Sequence, residues 1–477
     1  MNPTHSGLFT DLYELTMIQG YSKYHENHDV VFDMFFRRQP FGGGFTVFAG
    51  LDDLIDQLEQ FSFSDEDIEY LRDAGLFERE FLDYLREFRF RGEVYAMSEG
   101  SIVFPGEPLI RVHGSLIEAQ LIEGMLLNTI NFQTLIATKS ARVFCASKKG
   151  KVLEFGLRRA QGRDGAMSAS RAAFIGGAAA TSNTLAGKMY NIPVKGTMAH
   201  SWVMAFDSER ESFDRYAELY PDSTILLIDT YATLGSGIES AIEVGKELQK
   251  RGHSFGVRLD SGDLEYLSKQ VRKRLDSAGL HDATITASNE LNEEIIHQLI
   301  TSDSPIDSWG VGTNMVTGGK DSSLTGVYKL AAKGNGELNP TIKLSNQPAK
   351  TTDPGVKQVY RFRNGSGVPL ADLVALDSER LVTGERYTFN HPDLSARRFE
   401  MVHYENTEPL LQPQMRDGLR LNERQPLEEL QRFCLSSLEA FDETYKRIIN
   451  PHVYKVSLSN ELAALKRKLI DRYTPEI

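Results

Sequence analysis

Across 477 residues there are only two cysteines, Cys145 and Cys434. A disulfide framework or a thiolate zinc cluster needs more thiols than that, so neither organises this fold. Excess positive charge is also missing: 53 Lys and Arg stand against 66 Asp and Glu, for a net charge of −13. Bulk binders of nucleic acid or anionic membrane carry a positive field, and this chain carries the opposite. A phosphate-bearing ligand would have to be held by local basic side chains or backbone amides. No apolar run approaches the roughly 20 residues that span a bilayer. The opening Met1-Asn2-Pro3-Thr4-His5 has neither the charged nor the apolar section of a secretory signal. What is present is ordinary, with 41% hydrophobic and 25% charged residues in globular proportion. A globular protein of a reducing, cytoplasmic compartment is expected, with no nucleic acid and no membrane among its partners.

Three textures follow one another. Up to about residue 115 the pattern is mixed. Asp11-x-x-Glu14 reads as a capping box opening a helix that contains Tyr13, Leu15 and Ile18. Asp29 to Phe36 reads as a strand, and Glu93 to Val112 as short β runs broken by Pro105-Gly106 and Pro108. Leu116 to Ala146 is a long helical stretch. Short apolar runs then alternate with amphipathic segments. The runs are Lys151–Phe155, Ala173–Ile175, Val194–Met198, Thr224–Ile228, Phe255–Leu259, Thr284–Ala287 and Trp309–Val311. Helical periods between them, as in Ile238–Lys250, Asp263–Ala278 and Asn292–Thr301, imply parallel strands joined by right-handed crossovers. Polar residues follow nearly every run: Arg158-Arg159, His200, Asp229, Asp260, Asn289 and Thr313-Asn314. Distributed polar strand ends favour a barrel, whose site draws on many loops at one mouth, over an open doubly wound sheet. The expected organisation is α/β: a barrel over residues 116–335, and a small α+β domain built from both chain ends, 1–115 and 336–477.

Five strand ends carry the candidate chemistry. Phe155-Gly156-Leu157-Arg158-Arg159 places an aromatic face beside two guanidiniums, one of which can meet an anionic ring or phosphate while the other pairs elsewhere. His200 follows Val194–Met198, and Asp229 closes the next run; an aspartate on Nδ1 would leave Nε2 free as a base or phosphoryl acceptor. Arg258 and Asp260 flank Leu259; the carboxylate suits ribose hydroxyls or Mg²⁺. Asp263 reads as the cap of the following helix. Gly310-Val311-Gly312-Thr313-Asn314 resembles a backbone-amide cradle for phosphate. These residues point to an enzyme handling a phosphorylated ribose and do not by themselves name its reaction.

Thr10 to Met17, Phe155 to Gly162, Gly196 to Ser201, Val257 to Leu264, Gly310 to Asn314 and Lys357 to Arg361, six motifs in order, resemble the nicotinate phosphoribosyltransferases. The resemblance implies the irregular (β/α) barrel of type II phosphoribosyltransferases with a small α+β domain. It implies nicotinate mononucleotide and pyrophosphate made from nicotinate and 5-phosphoribosyl-1-pyrophosphate in NAD salvage, with ATP as co-substrate and Mg²⁺ as cofactor. A homodimer with shared active sites is implied too, Tyr13 of one subunit and Phe155 of the other sandwiching the pyridine ring. Arg158 and Arg258 would lie near the ring and the phosphoribosyl group, Asp260 at the ribose hydroxyls, and Gly312 with Thr313 at the 5-phosphate. His200 would be phosphorylated by ATP and oriented by Asp229, and Asn289 would contact the ribosyl phosphate. Two alternatives stay open: a nicotinamide enzyme of the same fold, and a non-catalytic nucleotide-binding barrel. Gly176 to Asn183 contains no carboxylate to accept an amide N–H, which favours the anionic ring.

Overall fold

A computed structural model of the chain describes residues 6–394 and 396–474; the Met1–His5 opening lies outside them. The chain divides into two compact units, one formed by residues up to Leu135 together with Ser323 onward, the other by Ile136–Ser322. The expected boundaries were 115 and 335. The first division falls inside the continuous helix Glu123–Ala146, where no change in composition marks it. The long helical stretch is itself broken, with Leu116–Leu121 ending at Ile122 before Glu123–Ala146 begins.

The two-ended unit is built on a seven-stranded antiparallel sheet. Asp29–Phe36 lies inside it, hydrogen-bonded on one side to Gly326–Gly334 and on the other to Ile110–Ser115, the central strand. Strands from early and late sequence are thus neighbours, and Phe32 stacks on Tyr328 at 4.7 Å in the core. A second, six-stranded sheet contains Lys357–Arg363 and Pro369–Leu376 as an antiparallel pair. Between those strands Arg361 and Asp372 form a fully buried ion pair.

The helix Leu12–Lys23 does not open with a capping box. Asp11 makes no side-chain cap bond. Glu14 is completely buried, accepting the Thr10 hydroxyl and, at 3.3 Å, the Tyr13 hydroxyl. Burial, together with the nearby carboxylates of Glu123 and Asp11, raises its pKa to about 7. Spacing suited the box, but tertiary burial took the carboxylate away from the helix terminus.

Residues 136–322 hold a curled, all-parallel sheet of six strands. In spatial order these are Ala180–Thr181, Lys151–Glu154, Ser308–Val311, Thr284–Ala287, Phe255–Leu259 and Thr224–Leu227. First pairs with last in sequence, as in a closed barrel. One seam stays open, between Val194, which makes a single bridge to Thr181, and Thr224–Leu227. Two expected strands are therefore absent. Ala173–Ile175 is the last turn of the helix Gly162–Ile175, its apolar run being one buried helical face. Val194–Met198 contributes only that bridge. The open seam is bordered in sequence by short helices, His200–Met204 and Glu209–Leu219, that connect Val194 to the next strand.

The crossover helices form where their periodicity places them, and the expected Asp263 cap is made. Asp263 accepts the Tyr266 amide at 3.0 Å and Asn292 accepts the Ile295 amide at 2.8 Å, each closing an otherwise unsatisfied first turn. Among the described residues no helix is long and apolar enough to cross a membrane.

Candidate active site

The carboxyl ends of the parallel strands surround a cleft of about 370 Å³. Ligand sites of parallel α/β folds lie at this end because loops from several strands converge there. Phe155, Arg158, Arg258, Asp260, Asn289, Gly312 and Thr313, all singled out from sequence, line it.

Phe155 is seated by what its neighbour lacks. A Cβ on Gly310 would come within 2.6 Å of the Phe155 ring, so the bare glycine is the shelf on which the aromatic rests. The Phe155 amide donates to the Val311 carbonyl at 2.8 Å, fixing the ring's base. Arg158 and Arg159 then lie exposed on the following turn. Gly312 immediately precedes the short helix Thr313–Thr317, so its own amide and that of Thr313 lie at the cleft with no helical acceptor.

Arg258 is the buried cation of the site, with its side chain 12% exposed. It donates to the Thr197 hydroxyl and to the Met198 carbonyl at 3.2 Å, across the open seam of the sheet. Its Nη2 is 3.5 Å from Asp260 Oδ1, and its Nε has no partner. Burial outweighs the Asp260 and Asp229 carboxylates and pushes its pKa down. Asp260 in turn accepts the Ser288 hydroxyl.

His200 stands at the edge of this group, with Nε2 3.8 Å from Asp260 Oδ2. The expected Asp229–His200 bond is not formed. Nδ1 meets the Thr230 hydroxyl at 3.1 Å instead. Asp229 turns toward the neighbouring strand end, where Oδ2 accepts the Asp260 amide at 2.9 Å and the Ser261 hydroxyl at 2.6 Å. A backbone donor stranded where its strand ends needs an acceptor, and Asp229 supplies it. Thr230 thus occupies the position on Nδ1 assigned to Asp229.

Sequence reading passed over Thr197, Ser182, Ser288 and Thr230, whose hydroxyls line the cleft or bond its charged groups. Their only signal was position, within three residues of a strand end or bridge. Tyr13 lies in the other unit, 48% exposed on the helix Leu12–Lys23. The lining carries three guanidiniums, Arg158, Arg159 and Arg258, against two carboxylates, Asp260 and Glu290. In a chain of net charge −13, that is a local positive site.

Comparison with known proteins places this arrangement. Residues 8–131 match the nicotinate phosphoribosyltransferase (NAPRTase) N-terminal domain, 150–366 the nicotinate phosphoribosyltransferase (NAPRTase) family, and 356–466 the nicotinate phosphoribosyltransferase C-terminal domain. The nicotinate phosphoribosyltransferase of Bacillus subtilis is 43% identical over 468 residues, covering 97% of this chain and 95% of its own. The chain belongs to the nicotinate phosphoribosyltransferase family. Nicotinate phosphoribosyltransferase 1 of Arabidopsis thaliana is 38% identical, covering 97% of this chain and 93% of its own. The crystal structure of human nicotinic acid phosphoribosyltransferase superposes with a TM-score of 0.85 at 31% identity, over 96% of this chain and 99% of that one. Fold alone is shared with a nicotinate-nucleotide pyrophosphorylase from Pyrococcus furiosus, at a TM-score of 0.71 and 23% identity.

Proposed function

We infer that the chain transfers a phosphoribosyl group from 5-phosphoribosyl-1-pyrophosphate to nicotinate, forming nicotinate mononucleotide and pyrophosphate in NAD salvage. The observation that carries this is the convergence of Phe155, Arg258, Asp260, Gly312 and Thr313 on one cleft in a chain of this family.

The pyridine nitrogen is a nucleophile without deprotonation, so the ring needs no general base. Displacement at the anomeric carbon passes through an oxocarbenium-like state, and the protein's task is to hold nucleophile and leaving group in line. Phe155 offers one face to the ring, and Tyr13 of the partner subunit the other, in a homodimer with shared sites. Arg258, with an unpaired Nε and weak compensation by Asp260, is the cation facing the anionic ligands. Asp260 receives the ribose hydroxyls, and the amides at Gly312 and Thr313 receive the 5-phosphate. Arg158 and Asn289 complete the contacts at the rim.

Among the described residues no group of three or more His, Cys, Asp or Glu could hold a metal ion alone. Mg²⁺ is held chiefly by substrate phosphates with one or two carboxylates. The carboxylates present fit that pattern: Asp260 faces the cleft, and Asp229 behind it keeps Oδ1 without a partner. When bound, Mg²⁺ neutralises charge on the departing pyrophosphate.

ATP coupling is proposed to run through His200. In the tautomer whose Nδ1–H donates to the Thr230 hydroxyl, 3.1 Å away, Nε2 keeps the lone pair that a phosphoryl acceptor requires. A phosphate there adds charge beside Asp260 and alters the affinity of the diphosphate site. Such coupling is reciprocal in binding free energy.

The test is a substrate panel. Pure protein with 5-phosphoribosyl-1-pyrophosphate, Mg²⁺ and ATP should make nicotinate mononucleotide from nicotinate; product from nicotinamide alone would overturn the reading. His200→Ala should abolish nicotinate-stimulated ATP hydrolysis and leave some uncoupled transfer. Undiminished coupling would remove His200 from its role.

A further inference from the structure

Directly behind Phe155 lies a carboxylate with no assigned part in the reaction. Glu154 ends the strand Lys151–Glu154 and is 1% exposed. Burying a carboxylate is costly unless donors surround it. No ion pair reaches Glu154 among the described residues; its partners are all uncharged donors. Its Oε1 takes the Gly156 amide, and its Oε2 takes the Ser170 hydroxyl at 3.0 Å and the Thr181 hydroxyl.

Those three donors come from three different elements of the cleft wall. Gly156 begins the turn that carries Leu157, Arg158 and Arg159. Ser170 belongs to the helix Gly162–Ile175, and Thr181 to the edge strand that leads into the cleft residue Ser182. The network continues outward, with Asn183 donating from its backbone to Thr181 at 3.0 Å and from its side chain to Ser170 at 3.3 Å. The turn also requires glycine at 156, since a Cβ there would meet Val316 at 2.2 Å. One side chain therefore sets both the turn after the stacking aromatic and the strand facing it.

We propose that Glu154 is a positioning residue for the pyridine substrate, fixing Phe155 and the Arg158 turn against the Thr181–Ser182 edge. This rests on the functional reading given above. The carboxylate never touches the ligand; it acts through the backbone of Gly156 and the two hydroxyls. Because the hydroxyls can rotate to accept, a glutamine can satisfy the same three groups. Its carbonyl faces the Gly156 amide and its NH₂ faces Ser170 and Thr181. An alanine satisfies none.

Steady-state kinetics on the full-length enzyme separates this role from general stabilisation. Glu154→Ala should raise the KM for nicotinate about 10-fold or more, the loss expected when a charge-assisted hydrogen-bond set is removed. The KM for 5-phosphoribosyl-1-pyrophosphate should rise at least fivefold less. Glu154→Gln should restore the nicotinate KM to within about threefold of the parent. Thr181→Val, which deletes one donor and keeps shape, should give the same split in milder form even if the alanine variant does not fold. Equal losses for both substrates, or a glutamine variant as impaired as alanine, would overturn the proposal. A parent enzyme inactive on nicotinate would overturn the functional reading instead.

Discussion

Arg258 and Arg361 each sit on a strand facing an aspartate, one in each unit, and burial is the largest influence on both. They resolve it in opposite directions. Arg361 donates from Nε to Asp372 at 3.0 Å and from Nη2 at 2.6 Å, and the Tyr454 hydroxyl completes the carboxylate at 3.0 Å. Phe104, Phe441 and Tyr454 enclose the guanidinium at 5.3 to 5.9 Å. Asp372 overcomes the burial penalty and the pKa of Arg361 rises. Arg258 has its aspartate at 3.5 Å, one nitrogen unpaired, and a pKa driven down. A saturated buried charge is complete within the fold; on the proposed reading, the under-compensated one at the strand ends is open to an anionic ligand.

That contrast can be broken by experiment. The largest effect belongs to Arg361→Ala, which leaves Asp372 buried without its cation and should cost about 3–5 kcal/mol of stability. Chemical denaturation checks it, and an unmoved midpoint would end the distinction between the two pairs. Arg258→Ala should change stability by less than about 1 kcal/mol while kcat/KM for nicotinate falls about 10²–10³-fold, the loss of a charged contact to ligand. A folded Arg258→Ala enzyme with normal turnover would show that the free nitrogen serves no ligand.

The smallest effect concerns Glu14, whose pKa of about 7 lies above its ordinary 4.5 because of burial and the Glu123 and Asp11 charges. The folded state holds this proton after the unfolded chain has released it. Its contribution to stability is therefore full below about pH 4.5 and declines as pH rises toward 7. Glu14→Gln should flatten that decline when midpoints are compared at pH 5 and pH 8. Parallel curves for the two proteins would place the titration elsewhere.

Much of the catalytic half was legible because its signals are local. Strands at Phe255–Leu259 and Thr284–Ala287 are short apolar runs, their crossover helices carry the 3.6-residue period, and the Asp263 cap is residue-specific. Ala173–Ile175 misled because three apolar residues fit a buried helix face as well as a buried strand. The Asp229–His200 pairing misled for a different reason. Strand spacing puts neighbouring ends within reach of each other, but it does not say which of several donors a carboxylate will take. The Asp260 amide and Ser261 hydroxyl took it, leaving Thr230 for the imidazole. Glu154 escaped notice because a buried carboxylate at a strand end looks, in one dimension, like any surface acid.

The central claim is that the strand-end groups of residues 155–313 converge on one ligand. Crystallography of the protein with nicotinate mononucleotide tests it most directly. The account places the pyridine against Phe155, the ribose hydroxyls at Asp260 and the phosphate at the Gly312 and Thr313 amides, with Arg258 in contact. Well-ordered product bound away from Arg258 and Asp260 would contradict it.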